Sequence, residues 1–217
     1  MRKKLDKYSF IVDFFSKTQP DVSSELNFGN AYELLVATML AAQCTDKRVN
    51  MVTPALFAAY PTVSDLAKAT EEEILSYIKS VSYPNSKTRH LQQMAQMVVQ
   101  DFGGEIPCDM DSLTKLPGVG RKTANVVLAF AFAQAAMPVD THVFRVSHRL
   151  GLVPESANTP EKVEKELVKH FPKEYISRAH HWLLLHGRYV CTARKPHCEK
   201  CDLACICDNA NRTSMLQ

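Results

Sequence analysis

The stretch Leu116-Pro117-Gly118-Val119-Gly120-Arg121-Lys122-Thr123-Ala124 decides how the rest of the chain is interpreted. Two glycines and a proline within five residues predict a tight turn, because glycine tolerates positive φ and close approach of the backbone to a ligand. A short helix over residues 111–116 is predicted before the turn, and an apolar, buried helix over residues 122–133 is predicted after it. The local pattern is therefore helix, glycine-rich turn, helix.

The second of these helices begins directly after the turn, so its first amide groups have no acceptor within the helix. Those donors and the positive end of the helix dipole suit a phosphate group. Gly118, Val119, Gly120 and Arg121 are therefore candidate contacts to a nucleic-acid backbone. A lone Gly-x-Gly is more often a plain helix–helix turn, so the choice depends on the residues that follow.

Lys122 opens the second helix, where the positive end of the dipole disfavours a charged amine. A neutral lysine can attack an electrophilic carbon and form a Schiff base, which makes Lys122 a candidate nucleophile. Asp140 lies eighteen residues later, in Val139-Asp140-Thr141-His142, ahead of a new apolar run. It is a predicted helix N-cap, and that role is compatible with a carboxylate directed at the same cleft as Lys122.

The cysteines are concentrated near the carboxyl end of the chain. Five of the seven lie in the last 27 residues, four of them with the spacing Cys191-x6-Cys198-x2-Cys201-x5-Cys207. In a reducing compartment such a group indicates a metal centre more than disulfides. Four thiolates could close a zinc site or hold an iron–sulfur cluster. Cys205 lies within the last interval and is an alternative fourth ligand to Cys207.

The glycine-rich turn, the Val-Asp-Thr-His segment and the cysteine spacing together resemble the helix-hairpin-helix DNA glycosylases, and specifically the endonuclease III branch. The resemblance extends from about Tyr32 to Cys207. It implies a bifunctional DNA glycosylase and abasic-site lyase of base excision repair, acting on oxidised pyrimidines in duplex DNA. It also implies a 4Fe-4S cluster held by the four cysteines, and two helical lobes. One lobe comprises residues 22–133, and the other comprises 1–21 and 134–217, with the cluster loop at 191–207.

By the same resemblance, Lys122 and Asp140 are the catalytic pair and face each other across the cleft between the lobes. Gln43, in Ala-Gln-Cys-Thr-Asp, would fill the space left by a flipped nucleotide. Tyr83 would be the wedge that enters the opposite strand, although Ser82 and Pro84 depart from the usual pattern of that loop. Arg194 and Lys195, in the cluster loop, are candidate phosphate contacts, or else part of a solvated basic loop.

Composition agrees with an ordinary globular protein: 46% of the 217 residues are hydrophobic and 23% are charged, with a net charge of +3. Nucleic-acid binding would therefore need a local basic patch. Charged residues interrupt the start of the chain and every long apolar run, so neither a leader peptide nor a membrane span is expected. We expect a cytoplasmic, nucleoid-associated monomer.

Helical periodicity runs almost throughout, without the alternation that a sheet requires, so the predicted fold class is all-α. Residues that favour helix starts and stops mark the boundaries, among them Asn30 as an N-cap and Thr70 with Glu73 as a capping box. Helices are predicted over 7–16, 30–43, 45–60, 74–79, 86–102, 111–116, 122–133, 140–151, from 159, and over 174–186.

Two other functions compete with the glycosylase hypothesis. A DNA-binding module could use the same hairpin, but it would need neither Lys122 nor Asp140. An iron–sulfur electron carrier would leave that pair unexplained too. Four histidines, His142, His180, His181 and His186, are expected to be packed or hydrogen-bonded side chains, since no ligand spacing accompanies them.

Overall fold

The computed structural model describes residues 6–20 and 24–214, and within them the chain is helical without a strand, which confirms the all-α prediction. No helix in these ranges is both long and apolar enough to span a bilayer. The helices are α1 (Lys7–Thr18), α2 (Ala31–Ala41), α3 (Asp46–Ala59), α4 (Val63–Lys68), α5 (Glu71–Ile78), α6 (Pro84–Phe102), α7 (Met110–Lys115), α8 (Arg121–Phe130), α9 (Thr141–Leu150), α10 (Pro160–His170), α11 (Ile176–Tyr189) and α12 (Asp208–Ser214).

Contacts divide the chain into two compact units. The central unit is residues 24–134 and contains α2 to α8. The terminal unit combines residues 1–23 with 135–217 and contains α1 and α9 to α12. The lobe boundary expected between residues 21 and 22 lies outside the described residues, as do the first five residues of the chain. The other boundary falls after Gln134, one residue later than expected.

Within the central unit, α6 packs against α4 and α5, while α2 packs against α3 and α8. The hairpin helices α7 and α8 pack against each other. Apolar side chains that are completely buried fill the space between these helices; they include Leu34, Leu35, Leu40, Leu56, Leu66, Ile74, Ile78, Leu91 and Met94.

Side-chain caps explain where several helices begin. The Asn30 side chain accepts a hydrogen bond from the Glu33 amide at 2.9 Å, and Thr70 and Glu73 form both bonds of the predicted capping box. Helix α4, which the sequence analysis missed, starts with a second capping box between Thr62 and Asp65. An aspartate in place of the usual Glu or Gln, and a length of only six residues, left this helix without a clear signal.

Two predicted helices end two or three residues earlier than expected. Helix α2 ends at Ala41 rather than Gln43, and α8 ends at Phe130 rather than Ala133. Gln43 and Ala133 have φ angles of 54° and 51°, which a right-handed helix cannot accommodate. Helix α12 was also missed.

The terminal unit has its own core. The Phe15 ring stacks on Trp182 with 5.6 Å between centroids, and the Trp182 indole N–H donates to the Gln19 carbonyl at 3.0 Å. Helix α11 packs against α9 at Gly187, where a Cβ would lie only 2.9 Å from the Cβ of His142. Because Gly187 has no Cβ, α11 can approach the first turn of α9, which follows Asp140.

Candidate functional site

The glycine-rich turn joins α7 to α8 in the central unit, and its two glycines have different reasons to be glycine. Gly118 has a φ of 78°, and a Cβ there would lie 2.8 Å from the Cβ of His90. Gly120 is the N-cap of α8 with an ordinary φ of −89°, and a Cβ there would meet nothing within 4 Å. Close packing and positive φ therefore apply to Gly118 alone.

Helix α8 begins without a side-chain cap, because its N-cap residue is Gly120. Its first turn carries Arg121 and Lys122, both exposed. The amide groups at such a helix start are donors for an anion. The arrangement can therefore hold a phosphate while presenting a lysine amine beside it.

Asp140 caps α9 in the terminal unit, as the sequence predicts. Its Oδ1 atom accepts hydrogen bonds from the amides of His142 at 2.9 Å and Val143 at 2.8 Å. Both bonds end on the same oxygen of a half-buried carboxylate. Asp140 therefore has a structural role in α9 that occupies one oxygen.

Gln43, Tyr83 and Gly118, which are far apart in sequence, line one pocket on the central unit. Gln43 and Tyr83 are both exposed, and the Tyr83 residue keeps 65% of its accessible surface. Other residues complete the pocket, among them Met39, Lys87 and His90. None of these three was predicted as a site residue. Only Lys87 had a signal in the sequence, because it ends the loop segment Tyr-Pro-Asn-Ser-Lys at residues 83–87, which begins with Tyr83.

The four cysteines of the predicted ligand set surround a single apolar pocket in the terminal unit: Cys191, Cys198, Cys201 and Cys207. Burial raises the pKa of the Cys201 thiol, and negative charge on any of the other three raises it further, because all four lie close together. Cys205 is exposed and does not line this pocket; its thiol lies 3.8 Å from the Asp202 carbonyl.

The donor set fits an iron–sulfur cluster. Four cysteine thiols line one common pocket, and four thiolates are the usual ligands of such a cluster. The apolar lining, from residues such as Leu150, Val190 and Ala210, would keep water from it.

Two arginines of α9 hold the start of the cysteine loop, and neither was predicted. Arg145 donates to the Cys191 carbonyl and to the Gly187 carbonyl. Arg149, one turn later, donates to the Thr192 carbonyl at 2.7 Å and the Ala193 carbonyl at 2.8 Å. The helix that Asp140 caps therefore also anchors the loop.

Arg194 and Lys195, the predicted basic contacts of the cysteine loop, are exposed to solvent.

The histidines are mostly structural. His180 is buried, and its Nδ1 lies 2.7 Å from the Pro138 carbonyl, to which it must donate because a carbonyl only accepts. Burial lowers the pKa of His186 to about 4, so this ring is neutral near pH 7.

Several known proteins are similar to this chain. Residues 36–173 match the family described as HhH-GPD superfamily base excision DNA repair protein. The chain is 46% identical to endonuclease III of Rickettsia conorii, over 91% of this chain and 93% of that protein. It is 44% identical to endonuclease III of Bacillus subtilis, over 94% and 92%. These matches confirm the resemblance predicted from the sequence.

A solved structure described as a trapped endonuclease III–DNA covalent intermediate is also similar. The TM-score is 0.87 at 43% identity, and the alignment covers 95% of this chain and 96% of that one. A second solved structure, a non-covalent endonuclease III–DNA complex, matches with the same TM-score of 0.87 at 42% identity. The fold is thus shared over nearly the whole length of these proteins.

Proposed function

Since the chain belongs to the endonuclease III branch of the HhH-GPD superfamily of base excision DNA repair proteins, we propose that it removes oxidised pyrimidines from duplex DNA and cleaves the resulting abasic site through a lysine Schiff base. It is an enzyme of the DNA glycosylase and abasic-site lyase class. Our proposal adds three details to that class: the substrate range, the nucleophile and the elimination step.

Duplex DNA is the expected partner. Two relatives that share its fold have been solved in complex with DNA. The uncapped start of α8 supplies backbone donors for a phosphate, and exposed Arg121 adds charge. Arg194 and Lys195 would contact the backbone from the terminal unit. The phosphate contacts set the register, and the damaged nucleotide is then flipped out of the stack.

Lys122 is the proposed nucleophile. Its nitrogen forms a bond to the anomeric carbon of the sugar while the bond from that carbon to the base breaks, and the base leaves with a proton. Opening of the sugar ring gives a Schiff base, which acidifies the proton on the adjacent sugar carbon. When that proton is removed from C2′, its electron pair forms a double bond to C3′, and the bond from C3′ to the phosphate oxygen breaks. Water later hydrolyses the Schiff base and releases Lys122.

Asp140 is the proposed electrostatic partner. Its carboxylate would stabilise the positive charge that develops on the sugar and assist the proton transfers. The amides of His142 and Val143 fix one of its oxygens. The other oxygen is left for the reaction, so capping and catalysis can coexist in one side chain.

Cys191, Cys198, Cys201 and Cys207 would hold a 4Fe-4S cluster. When bound, the cluster would cross-link the loop, and its irons could exchange electrons; we assign it no step of base removal. The chain itself orients the loop through Arg145 and Arg149. This arrangement would keep Arg194 and Lys195 in place at the DNA backbone.

The observation that carries this proposal is the exposed lysine in the uncapped first turn of α8, directly after the glycine-rich turn. The test is incubation with labelled duplexes that contain thymine glycol, or unmodified thymine at the same position. We expect base release and strand cleavage 3′ to the lesion on the first duplex only. Base release without cleavage would contradict the lyase step, and binding without either product would indicate a DNA-binding module.

A further inference from the structure

Lys87 is a buried lysine whose amine bonds two backbone carbonyls of the protein. Only 8% of the residue is exposed. Its Nζ atom donates to the Leu40 carbonyl at 2.6 Å and to the Ala42 carbonyl at 2.8 Å. These carbonyls belong to the carboxyl end of α2, which has no basic residue in its own last turn. Lys87 therefore supplies the cation that this end of the helix dipole favours.

The residue directly after Ala42 is strained. Gln43 has a φ of 54°, in the left-handed region that side-chain-bearing residues seldom adopt. Tyr83 is strained in the same way, with a φ of 55°. Such residues persist only where the surrounding structure holds them, and they accumulate at functional sites.

Lys87 is bonded to both strained turns. Its side chain holds the carbonyl of Ala42, immediately before Gln43, and its backbone amide donates to the Tyr83 carbonyl at 3.1 Å. The backbone bond is the first hydrogen bond of α6, and the side chain ties this helix start to the end of α2, beside the pocket that Gln43 and Tyr83 line. Burial of the amine lowers the pKa of Lys87, because desolvation disfavours the charged form.

We propose that Lys87 is a positioning residue for opening the DNA duplex: it sets the spacing between Gln43 and Tyr83, so that both side chains enter damaged DNA as one preassembled unit. This inference rests on the proposed function. It also explains why a lysine, and not an apolar residue, fills a buried site at this end of α2. A purely structural Lys87 would stabilise the fold without affecting the coupling of the two side chains.

The test compares Lys87→Met, which keeps the length but loses the donors, with Lys87→Arg, which keeps donors. Lys79→Met, at an exposed lysine of the same unit, is the matched control. The substrates are an abasic site in a fully paired duplex and the same site in a bubble of unpaired bases. In the paired duplex, a 2-aminopurine base is placed opposite the abasic site, and its fluorescence rises when it unstacks.

We expect Lys87→Met to lower cleavage of the paired duplex about 10- to 100-fold, because small misplacements of positioning groups have effects of this size. Cleavage in the bubble should fall far less, because the bases around the abasic site are already unpaired there. The fluorescence rise should be lost in Lys87→Met and partly restored in Lys87→Arg. Lys79→Met should behave like the wild type.

Equal losses on paired and bubble substrates, or an unchanged fluorescence rise in Lys87→Met, would overturn the proposal. If Lys87→Met does not fold, a double-mutant cycle of Gln43→Ala and Tyr83→Ala in the wild-type background replaces it. A preassembled unit predicts strongly non-additive effects on cleavage of the paired duplex, and additive effects would overturn it. A wild-type protein that neither cleaves nor unstacks DNA would instead contradict the proposed function.

Discussion

The guanidinium group of Arg145 donates two hydrogen bonds to the backbone carbonyl of Cys191, at 3.1 and 3.2 Å. Arg145 lies on α9, five residues after Asp140, and Cys191 is the first of the four cysteines around the apolar pocket. The N-capped helix and the cysteine loop are therefore parts of one hydrogen-bonded structure. Loss of this contact should therefore disturb the cysteine loop more than it disturbs the glycine-rich turn.

Replacement of Arg145 by methionine tests this connection. The variant loses charge-assisted donors to the carbonyls of Cys191 and Gly187, so we expect a loss of about 2 kcal/mol in unfolding free energy and less iron bound per chain. Denaturant unfolding and iron analysis would measure both. Arg194→Met, at an exposed position, should leave both unchanged and weaken DNA binding, mainly at low salt. Equal effects of the two variants would contradict the anchoring role.

The two glycines of the hairpin should respond differently to alanine. Gly118→Ala places a Cβ at 2.8 Å from His90 in a backbone with positive φ, so we expect it to destabilise the protein by about 2 kcal/mol or more. Gly120→Ala has an ordinary φ and open space, and an N-cap glycine-to-alanine change should cost about 1 kcal/mol or less. Denaturant titrations of both variants measure the difference, and the reverse order would refute this geometry.

Capping and catalysis by Asp140 can be separated with two substitutions. Asparagine keeps an oxygen that can accept from the amides of His142 and Val143, so Asp140→Asn should unfold at nearly the wild-type temperature. It should nevertheless lose most activity, because the negative charge is gone. Asp140→Ala should lose activity and about 1 kcal/mol of stability as well. An active Asp140→Asn variant would show that the carboxylate serves only as a cap.

The fourth ligand can be identified by comparing Cys207→Ser with Cys205→Ser. Cys207 is buried in the pocket with the other three thiols, whereas Cys205 is exposed outside it. Protein with Cys207→Ser should carry less iron and unfold at a lower temperature, and Cys205→Ser should match the wild type in both. Iron loss in Cys205→Ser alone would assign the alternative ligand set.

Local signals in the sequence predicted much of this structure. Caps such as Asn30 and Asp140 were recognisable because the bonding partner lies two or three residues away. The cysteine spacing also indicated one compact site. Contacts between distant residues had no such signal. The bonds from Lys87 to the end of α2, and from Arg145 to the cysteine loop, join residues more than forty positions apart.

The residues with strained backbone could not be predicted from local signals in the sequence either. The helical pattern of the sequence continues to Gln43, but α2 ends at Ala41, where Lys87 bonds the Leu40 and Ala42 carbonyls. Ala133 similarly carries no sign in its identity that its φ is positive. Intrinsic preferences favour helix at both positions, yet neither residue is helical. The chemistry that we propose for Lys122 rests on its position at a helix start and on the family resemblance.

The central claim is that Lys122 forms a covalent bond with the sugar, and borohydride trapping tests it most directly. The protein is mixed with a duplex that contains one abasic site, borohydride is added, and Lys122→Ala is treated in parallel. We expect a stable protein–DNA adduct with the wild type and none with the variant, although the variant should still bind the duplex. An adduct of equal yield in Lys122→Ala, or no adduct with an active wild type, would contradict the mechanism.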